Sequence, residues 1–108
     1  MRFEFSTAGR IIFGPGTVAE IRPALRELNC RRLLIVHGAN ATRATPLVEM
    51  ARESDIDCRV FSVPGEPTTG LVAEGVRLAR ETERDGIIGF GGGSAIDAAK
   101  AIAGLTPN

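Results

Sequence analysis

Near the end of the chain runs GIIGFGGGSAIDAAKAIAGL, Gly86 to Leu105, in which three consecutive glycines, Gly91 to Gly93, separate a β-branched run from an alanine-rich helical one. Glycine weakens regular structure, so such a cluster marks backbone that must turn sharply or come very close to something else. A strand that ends in glycines and feeds directly into a helix gathers free backbone N–H groups and the positive end of the helix dipole at one point, which favours phosphate. Any Cβ there would hold a phosphate away from the amides. A bare tight turn is the plainer alternative. The pattern also departs from the dinucleotide fingerprint GxGxxG, because Ser94 stands where the last glycine would be. Ser94 and Asp97 carry two readings. SAID matches a capping box, in which the serine caps the helix and the acid bonds back, and equally Asp97 could face a cofactor. Lys100 either pairs with Asp97 one turn away or reaches into a cleft.

The rest of the chain has to supply the elements that position this turn. FEFS and RIIF read as two short strands joined at Thr7 to Gly9, an antiparallel hairpin, and FGPG (Phe13 to Gly16) then breaks the strand. Val18, Ile21, Leu25 and Leu28 recur at helical spacing, but Pro23 falls inside that pattern and removes a hydrogen bond. The expectation is one short turn to Ile21, then a helix with Pro23 in its first turn. LLIVH, Leu33 to His37, is a continuous apolar run of the kind buried on both faces of a parallel sheet. TPLVEMARES reads as a helix with Pro46 at a favourable first position, and CRVFSV (Cys58 to Val63) as a strand. TTGLVAEGVRLARETER reads as a helix with Leu71, Val72, Val76 and Ala79 as its inner face. The strand GIIGF and a helix opening at Ser94 close the chain. Strands alternating with helices of this length imply right-handed crossovers. The predicted fold is therefore α/β, a Rossmann-like parallel sheet with flanking helices and an N-terminal β-hairpin. Ligands in such folds gather beyond the carboxyl ends of the strands, at loops that begin here at His37, Pro64 and Gly91.

Composition narrows the field. With 108 residues, 44% hydrophobic, 24% charged and 13 basic against 13 acidic residues, the chain is a single ordinary globular domain with no polybasic character. It has no apolar run near the roughly 20 residues of a membrane span and no signal-peptide stretch at its start, so a cytoplasmic protein is expected. Cys30 and Cys58 have neither CxxC nor metal-ligand spacing and read as plain reduced thiols. With no Trp or Tyr and five scattered Phe, there is no stacking platform for nucleic acid.

GGGSAIDAAKAIA, preceded by the DGIIGF strand and by EPTTG some twenty residues earlier, resembles the iron-containing (group III) alcohol dehydrogenases, a family that includes maleylacetate reductases. RIIFGPGTVAEI looks like the same family's first motif, and the resemblance runs in order over essentially the whole chain. It implies that residues 1–108 are an N-terminal dinucleotide-binding domain for NAD or NADP, truncated and incomplete relative to the full family fold. The glycine run and Ser94 would lie at the pyrophosphate, Asp97 near the nicotinamide, and Pro67 and Thr68 along the groove. The resemblance also implies a second, helical domain that holds iron or zinc through an acid and three histidines. One histidine cannot build such a site, so the C-terminal metal-binding domain is expected to be absent, and no catalytic or metal-binding residue is assigned within this chain.

Two positions depart from the commoner family pattern. Where an acid often ends the second strand and binds the adenosine ribose, IVHGAN has His37 followed by Gly38. Loss of that acid removes repulsion toward a 2′-phosphate, so NADP is as acceptable as NAD; the alternative is that His37 is simply a loop residue. Glu66 stands where many relatives carry Asn, and reads as a solvated loop acid. The leading functional expectation is the cofactor-binding portion of a metal-dependent dehydrogenase or reductase that acts on a small alcohol, aldehyde or keto acid. A dehydroquinate synthase-like lyase shares the glycine triplet, though SAIDAAK argues against it, and a non-catalytic nucleotide-binding or interaction module is the third reading. Self-association into a homo-oligomer fits a domain with uncovered apolar surface.

Overall fold

The computed structural model describes the backbone of residues 2–7, 10–15 and 18–106, and the side chains of 21–42 and 44–106. Three strands, β3 (Arg32–His37), β4 (Asp57–Ser62) and β5 (Gly86–Phe90), run parallel. β1 (Arg2–Thr7) and β2 (Arg10–Pro15) form the expected hairpin, whose connecting residues lie outside the described ones. β1 also pairs antiparallel with β5, Phe3 opposite Phe90, which gives the order β2-β1-β5-β3-β4. The helices are α1 (Val18–Glu27), α2 (Thr45–Glu53), α3 (Thr69–Glu81) and α4 (Gly93–Leu105), with a 3-10 turn at Ala41–Ala44 before α2. None of the helices is long and apolar enough to cross a membrane among the described residues.

The apolar run of β3 is divided between two faces by the period of two. Leu33 and Ile35, with Ile88 and Phe90 of β5, bury against Ile21 and Leu25 of α1 and Leu47 and Met50 of α2. Leu34 and Val36, with Ile87, turn the other way onto Ala79 of α3 and Ala98, Ala99 and Ile102 of α4. Complete burial of a side chain of this size contributes about 1.5–3 kcal/mol, so β3 and β5 anchor both layers. Leu71, Val72 and Val76 pack half-buried on the second cluster, as the α3 pattern predicts. From β3 the chain crosses by α2 to β4, then returns by α3 over the opposite face to β5 on the far side of β3. The winding direction therefore reverses between β3 and β5, and their carboxyl ends flank a crevice there.

The expectation at Pro23 differs. α1 is a single helix from Val18, with Pro23 inside rather than in the first turn. Pro23 is exposed while Ile21 and Leu25, on either side of it, are buried, so their burial offsets the missing hydrogen bond. α1, α2 and α3 are each followed by a left-handed residue that is not glycine: Asn29, Asp55 and Glu83, at φ 56°, 62° and 52°. Behind them Cys30 N donates to Leu25 O (3.0 Å), Ile56 N to Ala51 O (2.8 Å) and Arg84 N to Ala79 O (2.9 Å), the closures of Schellman caps.

These caps bring a polar network to the amino ends of the strands, opposite the crevice. The Arg84 side chain, 2% exposed, uses every guanidinium donor: Nε and Nη2 on Thr82 O, Nη1 on Leu33 O and Asp57 O, and Nη2 on Asp57 Oδ2 at 2.9 Å. Asp85 accepts from the backbone N–H groups of Arg31 and Arg32 and from the Cys30 thiol at 3.1 Å. Burial first, then that bond to Asp85, pushes the Cys30 thiol well above its ordinary value, and burial also raises Cys58. Both cysteines are free and protonated at neutral pH, in keeping with plain thiols.

Candidate functional site

β5 ends at Phe90, and the backbone reverses at Gly91, whose φ of 109° is a conformation that side chains rarely adopt. Gly92 then caps α4 in an extended conformation, φ −77° and ψ 174°, and Gly93 is the first helical residue. Ile96 N makes the first helical bond, to Gly92 O at 3.2 Å. The amides of Gly93, Ser94 and Ala95 consequently have no helical acceptor, and no side chain caps the helix. An ideal Cβ at Gly92 or Gly93 would meet nothing within 4 Å. These two glycines leave open space in front of unpaired N–H groups, whereas Gly91 is needed for its turn. Gly89 has a third role: a Cβ there would lie 2.7 Å from Ala99 Cβ and 3.1 Å from Ile96 Cα, so its absence lets α4 sit directly on β5.

The capping box does not form. Because the turn at Gly91 leads straight into the helix, Gly92 takes the cap position, Ser94 becomes the second helical residue, and Asp97 falls too far along to bond back. Ser94 lines the crevice, while Asp97 is exposed and outside it.

The crevice is a cleft of about 270 Å³ bounded by the ends of all three parallel strands. The loops beginning at His37, Pro64 and Gly91 all reach it, as the fold class predicts. Of the candidate residues, the structure brings together His37, Gly91, Gly92, Gly93 and Ser94, and leaves Pro67, Thr68 and Asp97 outside the lining. Thr68 instead caps α3, its Oγ1 accepting from Leu71 N at 3.1 Å, with Pro67 just before it. Glu66 is exposed and also outside. Asn40 lines the cleft without having been anticipated; its Oδ1 accepts from Thr42 N at 3.1 Å and holds the 3-10 turn in place. An Asn two residues before a Thr in a loop is the signal for such a turn.

His37 is buried, 4% exposed, at the end of β3 opposite Phe90. Its Nδ1 lies 2.7 Å from Gly38 O. A carbonyl only accepts, so Nδ1 carries the hydrogen and donates, which leaves Nε2 bare in the neutral ring. Gly38 N approaches within 3.9 Å of the Cβ position at Gly91, so the β3 loop and the glycine turn form adjoining walls.

A dinucleotide fits this donor set: open space, unpaired amides and a helix N-terminus at a strand switch point. A metal does not. Among the described residues no group of three or more His, Cys, Asp or Glu could hold one.

Comparison with known proteins agrees with these features. The model of the iron-containing alcohol dehydrogenase family matches residues 8–108. The chain is 34% identical over 102 residues to 1-propanol dehydrogenase PduQ of Citrobacter freundii, covering 91% of this chain and 26% of that protein. It is 30% identical over 108 residues to NADH-dependent butanol dehydrogenase A of Clostridium acetobutylicum, covering 95% and 28%. With the NADPH-dependent butanol dehydrogenase of Clostridium saccharobutylicum it shares 30% over 103 residues, covering 91% and 26%. The crystal structure of NADH-dependent butanol dehydrogenase A from Thermotoga maritima superposes with a TM-score of 0.73 at 26% identity, over 85% of this chain and 25% of that one. The chain thus spans about a quarter of the length of these relatives. Fold, glycine turn and sequence agree, and the chain belongs to the iron-containing alcohol dehydrogenase family.

Proposed function

We propose that this chain is the dinucleotide-binding part of an NAD(P)-dependent alcohol dehydrogenase or reductase, and that the cleft at Gly91–Ser94 holds the pyrophosphate of the cofactor. The observation that carries this reading is the uncapped start of α4 behind two glycines whose missing Cβ atoms leave only open space. The amides of Gly93, Ser94 and Ala95 donate to the phosphate oxygens, the helix dipole adds to the attraction, and Ser94 Oγ is available at the same wall. When bound, the nicotinamide supplies or accepts hydride, with a small alcohol, aldehyde or keto acid as the other reactant. Among the described residues no donor set converges on a metal, and the helical metal-holding domain that the family resemblance implies is where we place it. Turnover and stoichiometric metal binding are therefore not expected of this chain alone.

Cofactor choice follows from the same cleft. No acid lines it among the described residues, so nothing repels a 2′-phosphate, and relatives include both an NADH-dependent and an NADPH-dependent enzyme. NADP binds within about tenfold of NAD, roughly 1.4 kcal/mol. Calorimetric titration with each cofactor tests both parts. The reading requires saturable binding of the dinucleotides, and rejection of NADP by a hundredfold or more would refute the selectivity argument.

A further inference from the structure

At the amino ends of the strands, away from the glycine cleft, the carboxyl ends of α1 and α2 border a second cleft of about 280 Å³. Arg22, Arg26 and Arg31 line it, against one acid, Asp55, among the described residues of the lining. Arg22 and Arg26 lie one turn apart on α1, and Arg31 stands just before β3. Arg22 is paired with Glu53 at 3.1 Å. The side chains of Arg26 and Arg31 have no hydrogen bond or ion pair among the described residues. Arginines near helix ends commonly serve the last carbonyls, but here backbone amides have taken them. Asn29 N donates to Arg26 O (3.1 Å) and Cys30 N to Leu25 O (3.0 Å), while Asp55 N donates to Arg52 O (3.2 Å) and Ile56 N to Ala51 O (2.8 Å). Two guanidinium groups therefore keep their donors beside a cleft whose lining also includes the buried Leu25 and the half-buried Ile56.

We propose that this second cleft binds a small polyanion, a molecule that carries two or more phosphate or carboxylate groups on a short skeleton. A guanidinium presents paired N–H donors that match two oxygens of one such group, and a ligand with two groups engages Arg26 and Arg31 together. The apolar residues of the lining accept the skeleton between the charged groups. A concave cleft of this size encloses a small molecule rather than a flat protein surface. The site lies at the other end of the sheet from the glycine turn, so it does not depend on the dinucleotide reading and can be filled while that cleft is occupied.

Amide and arginine side-chain NMR spectra of the unmodified chain, titrated with inorganic pyrophosphate and separately with citrate at constant ionic strength, test it. The expected result is saturable shifts at Arg26, Asn29, Arg31 and Asp55 with at least one probe, retained when NADH is also present. Saturation by pyrophosphate alone identifies phosphate as the group bound, saturation by citrate alone identifies carboxylate, and saturation by both shows that either oxyanion serves; each supports the site. Arg26→Gln combined with Arg31→Gln should weaken that binding about tenfold, the scale of two exposed charge pairs. Arg77→Gln combined with Arg80→Gln makes the same change of charge on the exposed side of α3 and should leave it unaltered. The spectra report whether each variant is folded, and if the first is not, the titration of the unmodified chain decides alone. Shifts that rise linearly with both probes, or that saturate only at the glycine cleft, overturn the proposal. Equal weakening in the two double variants overturns it too, because the attraction would then follow net charge and not this cleft.

Discussion

Replacing Gly92 with valine separates a ligand-binding glycine from a folding one. Its φ of −77° and ψ of 174° are ordinary extended values for valine, and nothing in the protein lies within 4 Å of the new Cβ. Restricting the unfolded chain stabilises by about 0.4–1 kcal/mol, and losing glycine at a helix cap costs a similar amount. Net stability should thus change by less than about 1 kcal/mol. The branched side chain, however, occupies the space before the amides of Gly93 and Ser94. Each hydrogen bond to a charged oxygen contributes about 1.5–3 kcal/mol, so the loss of one weakens binding by at least about tenfold. Chemical denaturation and calorimetric titration of NADH on the same preparation read the two quantities. A folded variant with unchanged affinity would refute the reasoning, because it would mean that the phosphate does not occupy that space.

Gly89→Ala should do the reverse, costing about 1–3 kcal/mol in a denaturation curve because its Cβ meets Ala99 and Ile96 of α4; wild-type stability would mean that α4 does not sit on β5 as described. Arg84→Ala should cost about 3–5 kcal/mol, since it strands the carbonyls of Leu33, Asp57 and Thr82, and Arg84→Lys should recover little because an ammonium cannot supply the five-donor fork. Cys30, with its folded-state value raised above the ordinary 9.0, contributes stability that is fully present below that pH and is lost as pH rises beyond it, at roughly 1.4 kcal/mol per pH unit; denaturation midpoints on either side of pH 9 should show the fall, reduced in Cys30→Ala. Asp57, held below its usual value by the Arg84 hydrogen bond, acts in the opposite direction: its contribution is present above 3.8 and is lost as pH falls through the lowered value, which an acid titration of Asp57→Asn would reveal by its absence.

The parallel strands and the helices between them were legible because a run such as LLIVH, buried on both faces, alternates with helical spacing, and the strand ends at His37, Pro64 and Gly91 follow from that order. The start of α4 was less so. SAID satisfies the capping-box pattern by residue type, but the positive φ at Gly91 moved the cap to Gly92, a choice set by backbone geometry rather than by side-chain preference. The same holds at Asn29, Asp55 and Glu83, where the left-handed cap positions lack the glycine that usually signals them. The helix expected to run through TTGLVAEGVRLARETER ends at Glu81, and beyond it the side chain of Arg84 is buried and Asp85 ties two backbone amides across more than fifty residues, partners that no local pattern identifies. Thr68 and Asp97, assigned to the cofactor by resemblance, stand outside the cleft lining, the first of them occupied with capping α3.

The central claim is that the unpaired amides at the start of α4 receive the cofactor phosphates. Amide nitrogen–proton NMR spectra of the 108-residue chain, recorded during titration with NADH, test it residue by residue. The largest shifts should fall on Gly92, Gly93, Ser94 and Ala95, with smaller ones at Gly38 and Gly65 across the cleft. A saturable titration whose shifts leave those four amides unmoved would contradict the account.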